Sequence, residues 1–121
     1  MNSTVVARIL IVEPHADIRA LLELVINRLG HEPVVYNGGS EEPTDIDAAV
    51  IEPGKGPGIA VARQLFPQGV KVVFISIFPA EQAALDLKPS AYLVKPFPLY
   101  ALENALTAAL EGVNGRAASA V

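Results

Sequence analysis

Five short apolar runs punctuate the chain, and segments of helical spacing fill most of the intervals between them. RILIV (residues 8–12), PVVY (33–36), DAAVI (47–51), KVVFISIF (71–78) and AYLV (91–94) are rich in β-branched and aromatic residues. Near-continuous apolar runs of this length suit strands covered on both faces. Between the first two runs, Ile18, Leu21, Leu22, Val25, Ile26 and Leu29 recur at helical spacing. That predicts a helix from Asp17 to Leu29 with one apolar face. Asp17 suits the positive helix start and Gly30 the stop. GIAVARQLF (58–66) predicts a short helix with Ile59, Ala62, Leu65 and Phe66 inward, and PAEQAALDL (79–87) another that ends near Pro89. After Pro98, the positions Leu99, Leu102, Leu106, Ala109 and Leu110 mark a C-terminal helix. NGGSEEPTDID (37–47) is polar, turn-rich and interrupted by Pro43, so one helical turn at most is expected there.

Strands alternating with helices imply a parallel sheet with helices on both faces, an α/β fold. Right-handed crossovers follow. In such sheets ligands and chemistry gather at the carboxyl ends of the strands, where the strand order reverses. The reading is one domain over residues 1–115, followed by a small, polar, frayed tail over 116–121.

Composition narrows the function classes. The chain has 121 residues, of which 51% are hydrophobic, enough for one buried core. Lys and Arg number 9 against 13 Asp and Glu, a net charge of -4, so a dedicated nucleic-acid surface is not expected. With no cysteine there is no disulfide, thiolate metal site or cysteine nucleophile. MNSTVVARILIV lacks the form of a signal peptide, and no apolar stretch approaches the roughly 18 residues of a membrane span. A cytoplasmic location is the expectation, with no membrane partner.

The strand ends carry the candidate chemistry. Glu13, Pro14 and His15 follow the first strand, Glu52 the third, Ser76 lies late in the fourth, and Lys95 and Pro96 follow the fifth. Two carboxylates, a hydroxyl and an ammonium at one edge suit a phosphoryl group and a divalent cation. Taken with their flanks, RILIVEPHADIRALLELVINRLGHEPVVY, FISIF and AYLVKPFPLYALENAL, these residues resemble a response-regulator receiver domain over residues 7–112. The resemblance implies a flavodoxin-like three-layer sandwich with strand order 2-1-3-4-5, here with the second and fourth helices short. It also implies a phosphoryl group carried on an aspartate, with Mg²⁺ held by an acidic pair. Lys95 matches the family's phosphoryl-contacting lysine, Ser76 its Ser/Thr switch, Tyr92 its aromatic switch and Glu13 the first metal-binding acid. Pro96 matches the proline that often follows a cis bond, which is cheap only before proline.

Two positions depart from that pattern. Pro14 stands at the second acid, and its side chain cannot ligate a metal. Glu52 stands at the phosphoacceptor aspartate, with a carboxylate roughly 1.5 Å further from the backbone. The loop PGKGPG that follows is short and lacks the family's Met-Pro element. Loss of aspartyl phosphorylation is therefore the expectation, with Glu52 left as a degenerate acceptor that pairs with Lys95. No resident cofactor is expected; Glu13 and Glu52 are the positions a Mg²⁺ ion would use. His15 reads as an exposed loop residue, Ser76 equally as a backbone hydrogen-bonding hydroxyl, and EPGKGPG is no phosphate loop. The function expected is a non-enzymatic, phosphorylation-independent signalling module. Its partner would be a protein, a sensor kinase or a downstream signalling protein. A homodimer through the family's fourth helix, fifth strand and fifth helix is the second partner reading, with Lys88, Tyr92, Tyr100 and Asn104 exposed there. An atypical but working phosphoacceptor and a flavodoxin-like ligand binder are the alternatives.

Overall fold

The computed structural model describes residues 5–38, 44–54, 56–111 and 116–117. A five-stranded parallel sheet forms its centre: β1 (Arg8–Val12), β2 (Glu32–Val35), β3 (Ala48–Ile51), β4 (Lys71–Ser76) and β5 (Ala91–Val94), in spatial order β2-β1-β3-β4-β5. Four α-helices are described: α1 (Ala16–Arg28), α2 (Gly58–Leu65), α3 (Gln82–Leu85) and α4 (Leu99–Leu110). None is long and apolar enough to cross a membrane. The expected order and layering are those observed.

Alternation along each strand builds two cores. Ile9, Ile11, Ala48, Val50, Val73 and Ile75 face Leu22, Val25 and Ile26 of α1 and Leu102, Leu106 and Ala109 of α4. Leu10, Val12, Ala49, Ile51, Val72 and Phe74 face Val61, Ala62 and Leu65 of α2 and Ala84 of α3. Both faces of the sheet are thus covered, the reason its strands are nearly uninterrupted apolar runs. Helix α1 closes on Gly30, whose φ is +86°, with Gly30 N–H donating to Asn27 O and His31 N–H to Ile26 O. This paired closure needs the left-handed residue that glycine supplies.

Several sequence expectations need correction. The fourth strand stops at Ser76 rather than Phe78; its last ladder bond runs from Lys95 N to Ser76 O, 2.6 Å. The Ser76 hydroxyl then accepts the Phe78 N–H at 3.1 Å and turns the chain out of the sheet, leaving Ile77 and Phe78 exposed. Leu21 and Phe66 are also exposed. Leu21 lies at the edge of the α1 stripe, and α2 ends at Leu65 before a tight turn over Phe66–Gln68. The fourth helix of the receiver pattern is the single turn α3, short as expected. The place of the second falls largely on residues 39–43, outside the described residues. Arg116 and Ala117, read as part of a frayed tail, instead pair antiparallel with Val5 and Val6.

At the amino-terminal pole of the sheet, the Ala7 N–H donates to Nδ1 of His31 (3.1 Å), and the Arg8 N–H donates to Asp47 Oδ2 (2.7 Å). Only an unprotonated Nδ1 can accept. Burial holds the His31 pKa below its ordinary 6.5, against the opposing pull of Asp47. The unfolded chain therefore takes up a proton before the folded one does. Stability is full above 6.5 and falls as pH drops below it toward the folded value. Urea midpoints measured from about pH 7 to about pH 5.5 are expected to fall. His31→Asn, whose amide oxygen can accept the same N–H, should flatten that decline; an unchanged decline in the variant would exclude His31 as its source.

Candidate functional site

The site lies at the carboxyl ends of β1, β3, β4 and β5. Strands β1 and β3 are adjacent, but β2 lies on the other side of β1, so chain order reverses between them and a crevice opens there. Glu13 and Glu52 are the first residues past these two strands, and both are buried. Lys95 follows β5, its side chain 15% exposed.

The Lys95 ammonium lies between the two acids, 3.0 Å from Glu13 Oε1 and 3.7 Å from Glu52 Oε2. The expected Glu52–Lys95 ion pair is present, but the direct hydrogen bond goes to Glu13: Lys95 serves both carboxylates and is held more tightly by Glu13. The other Glu13 oxygen receives the His15 backbone N–H and faces His15 Nδ1, each at 3.0 Å. Burial alone would raise the Glu13 pKa, but the His15 and Lys95 hydrogen bonds outweigh it and hold the group below 4.5. The other Glu52 oxygen folds back onto the Gly54 N–H.

Two glycines let this loop close. A Cβ on Gly54 would stand 2.8 Å from Glu52 Oε1, and one on Gly58 would stand 2.0 Å from the Glu52 carbonyl oxygen. The first residue of α2 is thereby packed against the end of β3. Arg19, one turn into α1, donates to the carbonyls of Glu13 (2.9 Å) and Pro14 (3.1 Å) and fixes the β1–α1 loop. Sequence reasoning did not single out Arg19, Gly54 or Gly58. The glycine-rich run after Glu52 was a usable signal, since glycine is favoured where two backbones approach closely.

Ser76 and Tyr92 form a neighbouring group and do not join the charge cluster. The Ser76 hydroxyl is spent on Phe78 N–H. Tyr92 packs its ring on Phe74, centroids 6.0 Å apart, and donates its hydroxyl to Phe78 O at 3.0 Å. It is partly buried, which corrects its placement on an exposed surface, whereas Lys88, Tyr100 and Asn104 are exposed. Ser76 and Tyr92 line a cavity of about 220 Å³ with Pro53, Gly54 and Ile59. The Lys95–Pro96 bond is cis.

This donor set is a poor match to Mg²⁺, which takes about six oxygens in a strict octahedron. Pro14 offers no side-chain donor, and the ammonium of Lys95 stands where a cation shared by Glu13 and Glu52 would sit. Among the described residues no three His, Cys, Asp or Glu side chains are grouped to hold a metal ion.

The sequence matches no protein-family model and no curated protein. Solved structures do match. A response regulator receiver protein from Burkholderia phymatum aligns with a TM-score of 0.73 at 22% identity, over 90% of this chain and 98% of that one. The fold is that of a response-regulator receiver domain. A second receiver, from a modulated diguanylate cyclase of Desulfovibrio desulfuricans G20, gives 0.72 at 24% identity over 88% and 95% of the two chains. The response regulator TrrA of Thermotoga maritima, solved with Mg²⁺ and BeF, gives 0.68 at 22% identity over 84% and 96%. In the present chain, the carboxyl edge of this fold is filled by the Glu13–Lys95–Glu52 cluster.

Proposed function

We propose that the protein is a receiver-type signalling domain that has exchanged aspartyl phosphorylation for a fixed internal charge cluster and acts by binding a protein partner. The observation that carries this reading is Lys95 between Glu13 and Glu52, with the remaining Glu52 oxygen held by Gly54 N–H. A phosphoacceptor needs a free carboxylate oxygen aligned on phosphorus and a cation to offset the developing charge. Both Glu52 oxygens are engaged by positive or hydrogen-bonding groups within the protein, and the donor set is unsuited to Mg²⁺. The cluster instead offsets part of its own charge, one ammonium between two carboxylates, and ties the loops after β1, β3 and β5 together. Such a module signals by what it binds. The face made by α3, β5 and α4 exposes Leu85, Val94, Leu99 and Tyr100 beside Lys88 and Asn104, a mixed apolar and polar surface suited to a protein partner or a second copy. The net charge of -4 disfavours nucleic acid.

Amide NMR tests this reading. Addition of Mg²⁺ and then of beryllofluoride, which stands in for a carboxylate-bound phosphoryl group, is expected to leave Glu13, Glu52, Ser76 and Lys95 unshifted. Shifts at those residues that require both additives would replace the proposal with a working phosphoacceptor; TrrA was solved in complex with the same two additives.

A further inference from the structure

The cavity beside the charge cluster has a chemistry of its own. It holds about 220 Å³ and lies between the loops that follow β3 and β4. Two aromatic residues, Phe78 and Tyr92, share its lining with Ile59 and Ala84. Phe78 is 55% exposed, yet its backbone is pinned at both polar groups: the Ser76 hydroxyl oxygen accepts its N–H, and its carbonyl accepts the Tyr92 hydroxyl. An exposed aromatic residue on a fixed backbone is ordered before anything binds, which lowers the cost of binding. Glu81 is the one charged residue at the cavity among the described residues. Its carboxylate makes no ion pair there and does not cap α3. Ser76 is 2% exposed; its oxygen is spent on Phe78 N–H, but the hydroxyl's own hydrogen has no acceptor among the described residues.

We propose that this cavity reversibly binds a small methylated ammonium compound that also carries a hydroxyl or carbonyl oxygen. A cation is drawn both to aromatic rings and to an unpaired carboxylate. No lysine, arginine or histidine lines the cavity to oppose it, and the chain's net charge of -4 is of the favourable sign. Methylation follows from the shortage of acceptors. A bare ammonium brings three N–H donors, and donors buried without partners are costly, whereas N-methyl groups meet aromatic, proline and alanine walls without that cost. The size follows from the volume, which is below the roughly 300–1,000 Å³ of cavities for drug-sized ligands. The oxygen would take the free hydrogen of the Ser76 hydroxyl. Nothing in this site needs Glu13, Glu52 or Lys95, so it goes beyond the function proposed above and does not rest on it.

The test titrates the full chain with choline chloride at constant ionic strength and follows the amide NMR spectrum. Saturable shifts are expected at Gly54, Ile59, Ser76, Phe78, Glu81 and Tyr92. A parallel titration uses 3,3-dimethylbutan-1-ol, which has the shape and hydroxyl of choline with carbon in place of the charged nitrogen. It is expected to bind at least about threefold more weakly. Glu81→Gln and Phe78→Leu, both at exposed loop positions, are each expected to weaken choline by at least about threefold and to leave the neutral alcohol nearly unchanged. Absence of saturable shifts, shifts centred away from the cavity, or equal affinity for choline and the neutral alcohol would overturn the inference. None of these results touches the functional reading, which the Mg²⁺ and beryllofluoride titration decides separately.

Discussion

Lys95→Met is expected to cost about 3–5 kcal/mol of unfolding free energy at pH 7. The substitution keeps the length and apolar stem of the side chain and removes only the ammonium. Glu13 and Glu52, both buried, are left with no cation between them. Glu13 retains the His15 hydrogen bonds and Glu52 retains Gly54 N–H, but two neighbouring buried anions repel and lack compensation. Breaking such a cluster is costlier than the net worth of its contacts, because the partners stay charged in a place that cannot solvate them. The sign of the pH dependence follows. In the native protein Glu13 has a lowered pKa, so its contribution is present above 4.5 and lost as pH falls below it. In the variant the crowded carboxylates bind a proton more readily when folded, so the deficit shrinks in acid. Urea unfolding at pH 7 and at about pH 4.5, with Lys95→Met alone and combined with Glu13→Gln, measures this. A loss below about 1 kcal/mol at pH 7 would place Lys95 among ordinary solvated ion pairs and remove the electrostatic basis of the proposed function.

Gly58→Ala should be comparably damaging for an unrelated reason. The added methyl would lie 2.0 Å from the Glu52 carbonyl oxygen and 3.1 Å from Ile51 Cγ2. The obstacle is backbone, not a side chain able to swing away. Either α2 moves off the end of β3 or the β3–α2 loop rearranges, and both moves disturb the packing of Val61, Ala62 and Leu65. We expect about 3 kcal/mol of destabilisation and a melting temperature lower by about 10 °C. Gly30→Ala provides the comparison: its φ of +86° strains any side chain, but no atom lies within 4 Å, so only about 1 kcal/mol is expected. Equal losses at the two sites would refute close backbone approach as the role of Gly58.

Much of the fold was legible because burial on both faces leaves little ambiguity: RILIV and AYLV coincide with β1 and β5 residue for residue. KVVFISIF overran because Ile77 and Phe78 continue the composition of a strand, while a single hydroxyl, that of Ser76, captures the next N–H and ends it. Composition cannot register such a local competition. The site was legible as a set of positions, since topology alone brings Glu13, Glu52 and Lys95 to one edge. The Glu52–Lys95 pair was expected too, but the closer bond from Lys95 to Glu13 was not. Whether Lys95 leans toward Glu13 or Glu52 depends on shifts of less than 1 Å set by the loops, and on Glu52 being drawn aside by Gly54. Tyr92 was misplaced outside the core because strand alternation gives the face of the sheet but not how far a terminal hydroxyl can reach to find the Phe78 carbonyl.

The antiparallel pair of Val5–Val6 with Arg116–Ala117 has a mechanical consequence. Val5 lies opposite Ala117, so the backbone enters and leaves this unit about 5 Å apart and in opposite directions. Tension applied across residues 5 and 117 would load that ladder one pair at a time, by peeling. The parallel sheet feels the force only after the ladder has opened, and then first through β1, which sits in its interior between β2 and β3. A weak, sequential opening would thus precede any strong event under load.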